Sequence, residues 1–502
     1  MKTRFTMNPN VLVQYLQKSP HDFTRNDIIR YCRENGVRFI NFHYCGWGGR
    51  LKTLNFVINS EEHLTTLLEA GERVDGSSLF PFVEAGRSDL YVIPRYHTAF
   101  LNPFCEIPTL DILCAFMDRD GEPFASSPQY ILHKAHKAFQ ETTGMTMETM
   151  GELEYYVIAK EEELYRVADQ RGYHESEPFN KFTSLRVEAM KMIAQCGGII
   201  KYGHSEVGNF TKDGKVYEQN EIEFLPCDIE DAADQLVIAK WVMRQLAYKY
   251  GVELTFAPKI TIGKAGSGMH VHCRLTRKGD SMMLEDGNLT DAARKAIAGW
   301  MDAGTSLPAF GNPHPLSFMR LVPNQEAPTS LCWSFSNRSA LVRVPLGWTT
   351  KMDMARKVNP NEKHSDNDFS IKQTFEWRAS DGFADTYLLM SALCCAARHG
   401  FEMDNALDIA EKTYVGLGVD IHKKGNSELQ QSLEQLPGCC VEAADELERD
   451  REIYTSKGVF SDSIVDYTID YLRAFDDKYM RRRIVEAPEE IVRLVEECIN
   501  NG

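Results

Sequence analysis

The chain has 502 residues, 43% of them hydrophobic and 25% charged, enough to bury a large core and to divide into two or more domains. Its formal net charge of −16 argues against a nucleic-acid partner, because affinity for a phosphate backbone comes mostly from Lys and Arg. No apolar run reaches bilayer length, the longest lying around Tyr387 to Ala397, and the N-terminal MKTRFTMNPNV lacks an apolar signal core, so no membrane partner is expected. Thirteen cysteines, an odd number without paired zinc spacing, read as buried thiols in a reducing cytoplasm.

In chain order, Asp27 to Cys32 predicts a short helix ended by Gly36. Val37 to Tyr44 and Leu51 to Ile58 alternate around Gly46-Trp-Gly-Gly49 and predict a hairpin. Residues 1–107 thus read as a small α+β unit, with a boundary at Pro103 to Pro108 and a larger unit over 108–502. There, helices and strands mix without the regular alternation of a dinucleotide-binding fold. Lys212-Asp-Gly-Lys215 reads as a hairpin tip. Asp231 to Tyr250, stopped by Gly251, and Ala384 to His399, before Gly400, predict amphipathic helices. From Leu436 onward the pattern is helical and charge-rich, and its one basic run, Arg481-Arg-Arg483, is expected on a solvated helix face or at an intersubunit contact. There is no internal repeat and no low-complexity tract.

The chemistry concentrates in short segments that read as strands or tight turns. On a strand, residues i and i+2 share a face about 7 Å apart. Glu152 and Glu154 form such a pair, as do Glu221 and Glu223, His270 and His272, and Glu376 and Arg378. Tyr155 to Ile158 are apolar, so the Glu152 strand is largely buried, and buried carboxylates need cationic partners. Glu152, Glu154, Glu206, Glu221 and Glu376 with His270 can build a two-metal site, and such an oxygen-rich set suits Mg2+ or Mn2+. Gly266 and Gly268 beside His270 allow backbone to approach a ligand. Arg320, Arg338, Arg343 and Arg378 sit in otherwise apolar stretches, where their planar forks suit phosphate and carboxylate. Metal ligands beside arginines point to phosphoryl transfer.

These segments resemble the glutamine synthetase family. Val74-Asp-Gly-Ser-Ser78, Gly151-Glu-Leu-Glu-Tyr155, Ala265-Gly-Ser-Gly-Met-His270, Arg320 to Pro328, Asn337 to Arg343 and Glu376-Trp-Arg378 are similar to its motifs and stand in its order. The resemblance implies an α+β fold: an N-terminal β-grasp domain, then a catalytic domain on a curved antiparallel sheet with a helical C-terminal extension. It implies an ATP-dependent glutamate–ammonia ligase acting through γ-glutamyl phosphate, with two or three Mg2+ or Mn2+ ions per site, in a homo-oligomeric ring, a dodecamer of two hexamers. Glu154, Glu206 and Glu221 would hold one metal, and Glu152, His270 and Glu376 the other. Arg320, Gly266 and Ala265 would contact glutamate, with Arg378 near its γ-carboxylate. Arg338 and Arg343 would neutralise the transferring phosphoryl group, and with His272 they would contact the nucleotide. Asp75, contributed by a neighbouring subunit, would deprotonate ammonium beside Tyr173, and Glu326 would close a flap over the acyl phosphate.

The chain also departs from that family. Ala265 replaces the Asn that contacts glutamate, and a longer connection, Gly208 to Tyr217, follows Glu206. Thr374 replaces an arginine two residues before Glu376, so a basic residue of the insertion before it, Lys351, Arg356, Lys357 or Lys363, is expected at the nucleotide. The tyrosine-rich tail of the bacterial type I enzymes and their adenylylation loop have no counterpart; residues 481–502 stand in place of the tail. Two other readings stay open: a γ-glutamyl ligase for a larger amine such as a polyamine, and a non-catalytic member of the same fold.

Overall fold

The structure is a computed structural model that describes residues 3–84, 86, 88–323, 327–347, 353–419, 421, 423–487 and 489–502. Near the N-terminus, Thr24 caps the helix Arg25–Glu34 in a reciprocal capping box with Asp27, extending the predicted helix at both ends. Strands β1 (Phe39–Cys45) and β2 (Leu51–Val57) form the predicted antiparallel hairpin, with Gly48 and Gly49 at positive φ in its turn. Further strands are β3 (Glu72–Asp75), β4 (Asp89–Pro94), β5 (Phe100–Leu101) and β6 (Thr109–Met117). They complete a sheet of order β2-β1-β6-β4-β3, with β5 on β6.

The pairing of β1 with β6 is parallel and joins Asn41 to Asp111. Strand β6, beyond the boundary expected at 107, therefore lies inside the first sheet, and we propose that the seam falls in the following turn, residues 118–127. The expectation stopped a strand short because Pro103 to Pro108 breaks the chain locally, whereas the pairing that keeps β6 in the sheet is long-range.

The second sheet is built around β7 (Thr146–Lys160), flanked by β8 (Ile200–Lys212), β9 (Lys215–Phe224), β10 (Cys227–Asp228), β11 (Glu253–Thr255) and β12 (Met269–Arg277). It adds β13 (Asp280–Ser281), β16 (Trp333–Phe335), β17 (Val342–Val344) and β18 (Phe375–Trp377), while β14 (Leu284–Glu285) and β15 (Asn288–Leu289) pair separately. Its order is β16-β17-β18-β12-β7-β9-β8, antiparallel throughout except between β16 and β17. The predicted tip joining β8 to β9 is a two-residue turn, Asp213 and Gly214 both at positive φ between facing Lys212 and Lys215.

The two faces of β7 separate core from chemistry. A Cβ at Gly151 would strike Leu236 of the helix Ile229–Tyr250, so this face is packed by helices. Glu152 and Glu154 point the other way, as period-2 alternation requires. Helix Ile229–Tyr250 ends at Gly251 in a left-handed cap, as predicted.

The helix Thr386–Glu402 does not stop at Gly400. A Cβ on Gly400 would lie 1.9 Å from the Lys295 carbonyl oxygen, and one on Gly299 would lie 2.0 Å from that of Ala396. Gly299 belongs to the helix Asp291–Asp302, and the two helices cross backbone to backbone, so Gly400 serves the crossing rather than termination.

The chain from Cys440 is mostly helical, as expected. Arg481 departs from the expected solvated run: its Nη2 donates to the carbonyls of Phe318 (2.6 Å) and Leu321 (3.1 Å) at the end of the helix Pro315–Arg320. Arg482 and Arg483 instead pair with Glu486 and Glu490. No helix among the described residues is long and apolar enough to cross a membrane.

Candidate functional site

The carboxylates come together because neighbouring strands place them in register. His270 faces Glu152 across β12 and β7, and Glu376 faces His272 across β18 and β12. Glu154 faces Glu221 across β7 and β9, His204 faces Glu221 across β8 and β9, and Arg343 faces Glu376 across β17 and β18. One row of charged side chains thus crosses five neighbouring strand pairings and floors a cavity of about 850 Å3.

Glu152, Glu154, Glu206, Glu221, His270, His272, Arg320, Arg338, Arg343, Glu376, Arg378, Tyr173, Ala265 and Gly266 all line this cavity. Asp75 does not: it sits exposed at the end of β3, its carboxylate accepting from Ser77 Oγ (2.7 Å) and Ser78 Oγ (2.6 Å). Those hydroxyls, Ser78 first, hold the Asp75 carboxyl below the usual carboxylate range. Glu326 lies outside the described residues.

At one end, ligand atoms of Glu152, His270 and Glu376 lie within 4.8 Å of one another. His270 Nδ1 stands 3.0 Å from Glu152 Oε2 and 3.3 Å from Glu376 Oε1, while His272 Nε2 is 2.7 Å from Glu152 Oε1. Burial opposes ionisation of Glu152, yet His272 and His270 outweigh it and hold the carboxyl well below its ordinary range.

The second expected trio arranges differently. Glu221 converges with His204 and Glu223, also within 4.8 Å. Glu154 Oε2 accepts from the Gly268 amide (2.7 Å) and Gln219 Nε2 (3.1 Å), and Glu206 Oε2 from the Val207 amide (2.8 Å). Burial, then the nearby Glu152 and Glu154 carboxylates, push Glu221 well above its ordinary range. A buried anion crowded by like charges is a place where a divalent cation relieves repulsion, so the donor set fits Mg2+ or Mn2+. A cation that binds only the folded chain, at a hundred times its Kd, adds about 2.7 kcal/mol of stability. Adding Mn2+ to chelator-treated protein is therefore expected to raise Tm by several degrees. A Tm indifferent to both chelator and Mn2+ would count against this role.

The arginines stand among these side chains. Arg320 is 4% exposed, donating to the Ala379 carbonyl (2.8 Å) and standing 3.1 Å from His270 Nε2, and burial lowers its pKa. Arg343 Nη1 and Arg378 Nε each lie 3.1 Å from Glu376, and Arg378 also donates to the Arg338 carbonyl. Gly266 and Gly268 are needed for close approach: a Cβ on the first would meet the Pro258 carbonyl at 2.5 Å, and on the second Arg320 Nη2 at 2.5 Å.

Sequence reasoning missed His204, which stands two positions from Glu206, the spacing that could have revealed it, and it paired Glu223 with Glu221 on one face without giving it a role in the site. Of the basic residues expected from the insertion, Arg356, Lys357 and Lys363 do not line the cavity, and Lys351 lies outside the described residues. The segment carrying those three is exposed, and Arg274 and Lys372 are cationic residues that do line the cavity.

Comparison with known proteins matches residues 125–487 to the family model "Glutamine synthetase, catalytic domain" and residues 36–119 to "Glutamine synthetase, beta-Grasp domain". The chain is 28% identical to a glutamine synthetase of Aquifex aeolicus over 93% of this chain and 98% of that one. It is also 28% identical to one from Methanococcus maripaludis, over 86% and 91%. Among solved structures, a Plasmodium falciparum glutamine synthetase shares the fold with a TM-score of 0.73 at 19% identity, covering 91% of this chain and 97% of that one. A structure titled "Apo GmaS without ligand" gives a TM-score of 0.71 at 18% identity, with the same coverage. On the catalytic-domain match, the chain belongs to the glutamine synthetase family.

Proposed function

We propose that the protein ligates ammonia to L-glutamate, coupled to cleavage of ATP into ADP and phosphate. The observation that carries this reading is one cavity lined both by a row of glutamates and histidines and by Arg320, Arg338, Arg343 and Arg378. In this reading Arg320 holds the α-carboxylate of glutamate, because a buried guanidinium fits a carboxylate fork to fork. Arg378 orients the γ-carboxylate, whose oxygen attacks the γ-phosphorus of ATP as ADP leaves. Arg338 and Arg343 balance the charge of the transferring group, largely a matter of positioning and electrostatics. Bound Mg2+ or Mn2+ would supply further neutralisation, held by Glu152, His270 and Glu376 and by carboxylates around Glu221.

Ammonia then attacks the acyl carbon and phosphate leaves. Ammonium must first lose a proton, and an anionic group must receive it. Asp75, anionic and outside its own chain's cavity, supports a base contributed from a neighbouring subunit in a homo-oligomeric ring. The thirteen free thiols support a cytoplasmic setting.

One observation favours a larger amine as second reading. Tyr173 stacks on His174 at 4.1 Å, and His204 lies 4.4 Å from His174 and 5.7 Å from Tyr202, so aromatic rings stand beside the carboxylates. Aromatic faces attract alkylammonium groups. The deciding assay measures glutamate-dependent ADP release with ammonium and with a panel of amines. Turnover with ammonium alone supports the first reading, preference for an alkylamine the second, and no ADP release with any amine sinks both.

Ala265 tests the glutamate subsite. Its amide donates to Gln170 Oε1 (2.8 Å) and its carbonyl accepts from Tyr156 (3.0 Å), so the backbone is fixed at the cavity wall. A hydrogen bond to a charged group is worth about 1.5–3 kcal/mol, so Ala265→Asn is expected to lower KM for glutamate about tenfold. An unchanged KM would remove glutamate from this wall.

A further inference from the structure

We propose that Arg274, with Lys372 beside it, grips the phosphate chain of the bound nucleotide. This rests on the reading that a nucleoside triphosphate enters the cavity. Strand β12 presents His270, His272 and Arg274 on one face, and the two histidines are committed to Glu152 and Glu376. Arg274 stands one strand repeat further out, about 7 Å beyond His272, where the walls turn apolar with Met150, Leu225 and Pro226.

The ladder between β12 and β18 pairs Val271 with Trp377, His272 with Glu376 and Cys273 with Phe375. Its next step sets Arg274 opposite Thr374, whose Oγ1 lies 3.0 Å from His272 Nδ1, and both residues line the cavity. The guanidinium is pre-set: Nε and Nη2 lie 2.7 and 2.6 Å from Glu148 Oε2, and Nη1 donates to the Ile371 carbonyl at 3.2 Å. Those contacts engage three of the fork's five N–H groups, leaving one each on Nη1 and Nη2. The Ile371 contact also tethers the turn Ser370–Lys372, which brings Lys372 to the same wall. Lys201, which also lines the cavity, is paired with Glu223 at 2.5 Å much as Arg274 is with Glu148, so the feature that recommends Arg274 is the two remaining N–H groups of its fixed fork. A fixed planar fork above an apolar wall suits a phosphate chain trailing a flat base.

The test measures binding of a non-hydrolysable ATP analogue by calorimetry, with glutamate KM followed separately. Arg274→Ala is expected to weaken nucleotide binding about tenfold or more and to leave glutamate KM within twofold. Adding Thr374→Arg, which returns a guanidinium from the facing strand, should recover much of the loss. Lys372→Ala, on an exposed turn, should weaken binding severalfold and decides the matter if Arg274→Ala does not fold. The proposal is overturned if these variants bind like wild type, if Thr374→Arg restores nothing, or if Glu148→Gln loses as much as Arg274→Ala. In that last case Arg274 merely braces the turn. Nucleotide binding with no amide formed would sink the ligase reading while leaving Arg274 to be judged on affinity. No nucleotide binding by wild type would overturn both.

Discussion

Exchanging Glu376→Gln is expected to reduce amide formation by a factor of about 10^2 to 10^4. Glu376 is 1% exposed and is the common neighbour of Arg343, Arg378 and His270, at 3.1, 3.1 and 3.3 Å. The amide keeps the shape and removes the charge that holds both guanidinium groups and completes the metal-ligand trio. Breaking a buried ion pair by removing one partner costs about 3–5 kcal/mol, and each 1.36 kcal/mol withheld from the transition state is a factor of ten. The variant should remain folded with a lowered Tm, and raising Mn2+ should recover little. Activity within tenfold of wild type at ordinary Mn2+ would show that the site does not turn on this carboxylate.

Mixing two inactive variants should regenerate activity. Arg378→Ala removes a donor to Glu376 from the cavity, and Asp75→Ala alters a side chain on the other unit that never reaches its own chain's cavity. Removing one stabilising donor from a preorganised site costs about 10^2- to 10^3-fold, so each homogeneous variant should be nearly silent. In a head-to-tail ring, random equal mixing sets a cavity with Arg378 intact beside a neighbour with Asp75 intact at about one site in four. The mixed protein should then reach about a quarter of wild-type activity after subunit exchange. Proven exchange with no recovery would exclude a site shared between subunits.

What could be read in advance was whatever local spacing encodes. The pair Glu152 and Glu154, the glycines around His270 and the Lys212–Lys215 tip all carry their geometry within a few residues, and the structure places them accordingly. What escaped depends on partners far away in the chain. His204 gains meaning only when β8 folds onto β9 and sets it opposite Glu221. Arg274 depends on Glu148, which lies on the neighbouring strand β7 and is far from it in the chain. Gly400 looks like a stop signal until Gly299 is laid across it, and Arg481 like a surface charge until the carbonyls of Phe318 and Leu321 are beneath it.

The row of side chains across β18, β12, β7, β9 and β8 has a consequence for how the protein acquires function. A slip of one residue in any of these ladders would turn that strand's charged groups into the helical layer and its apolar ones outward. A partly aligned sheet therefore offers at most scattered ligands, and tight ion capture should arrive with the last correct pairing. The spectrum of bound Mn2+ would then act as a clock for refolding, silent while strands shuffle and appearing when their alignment locks.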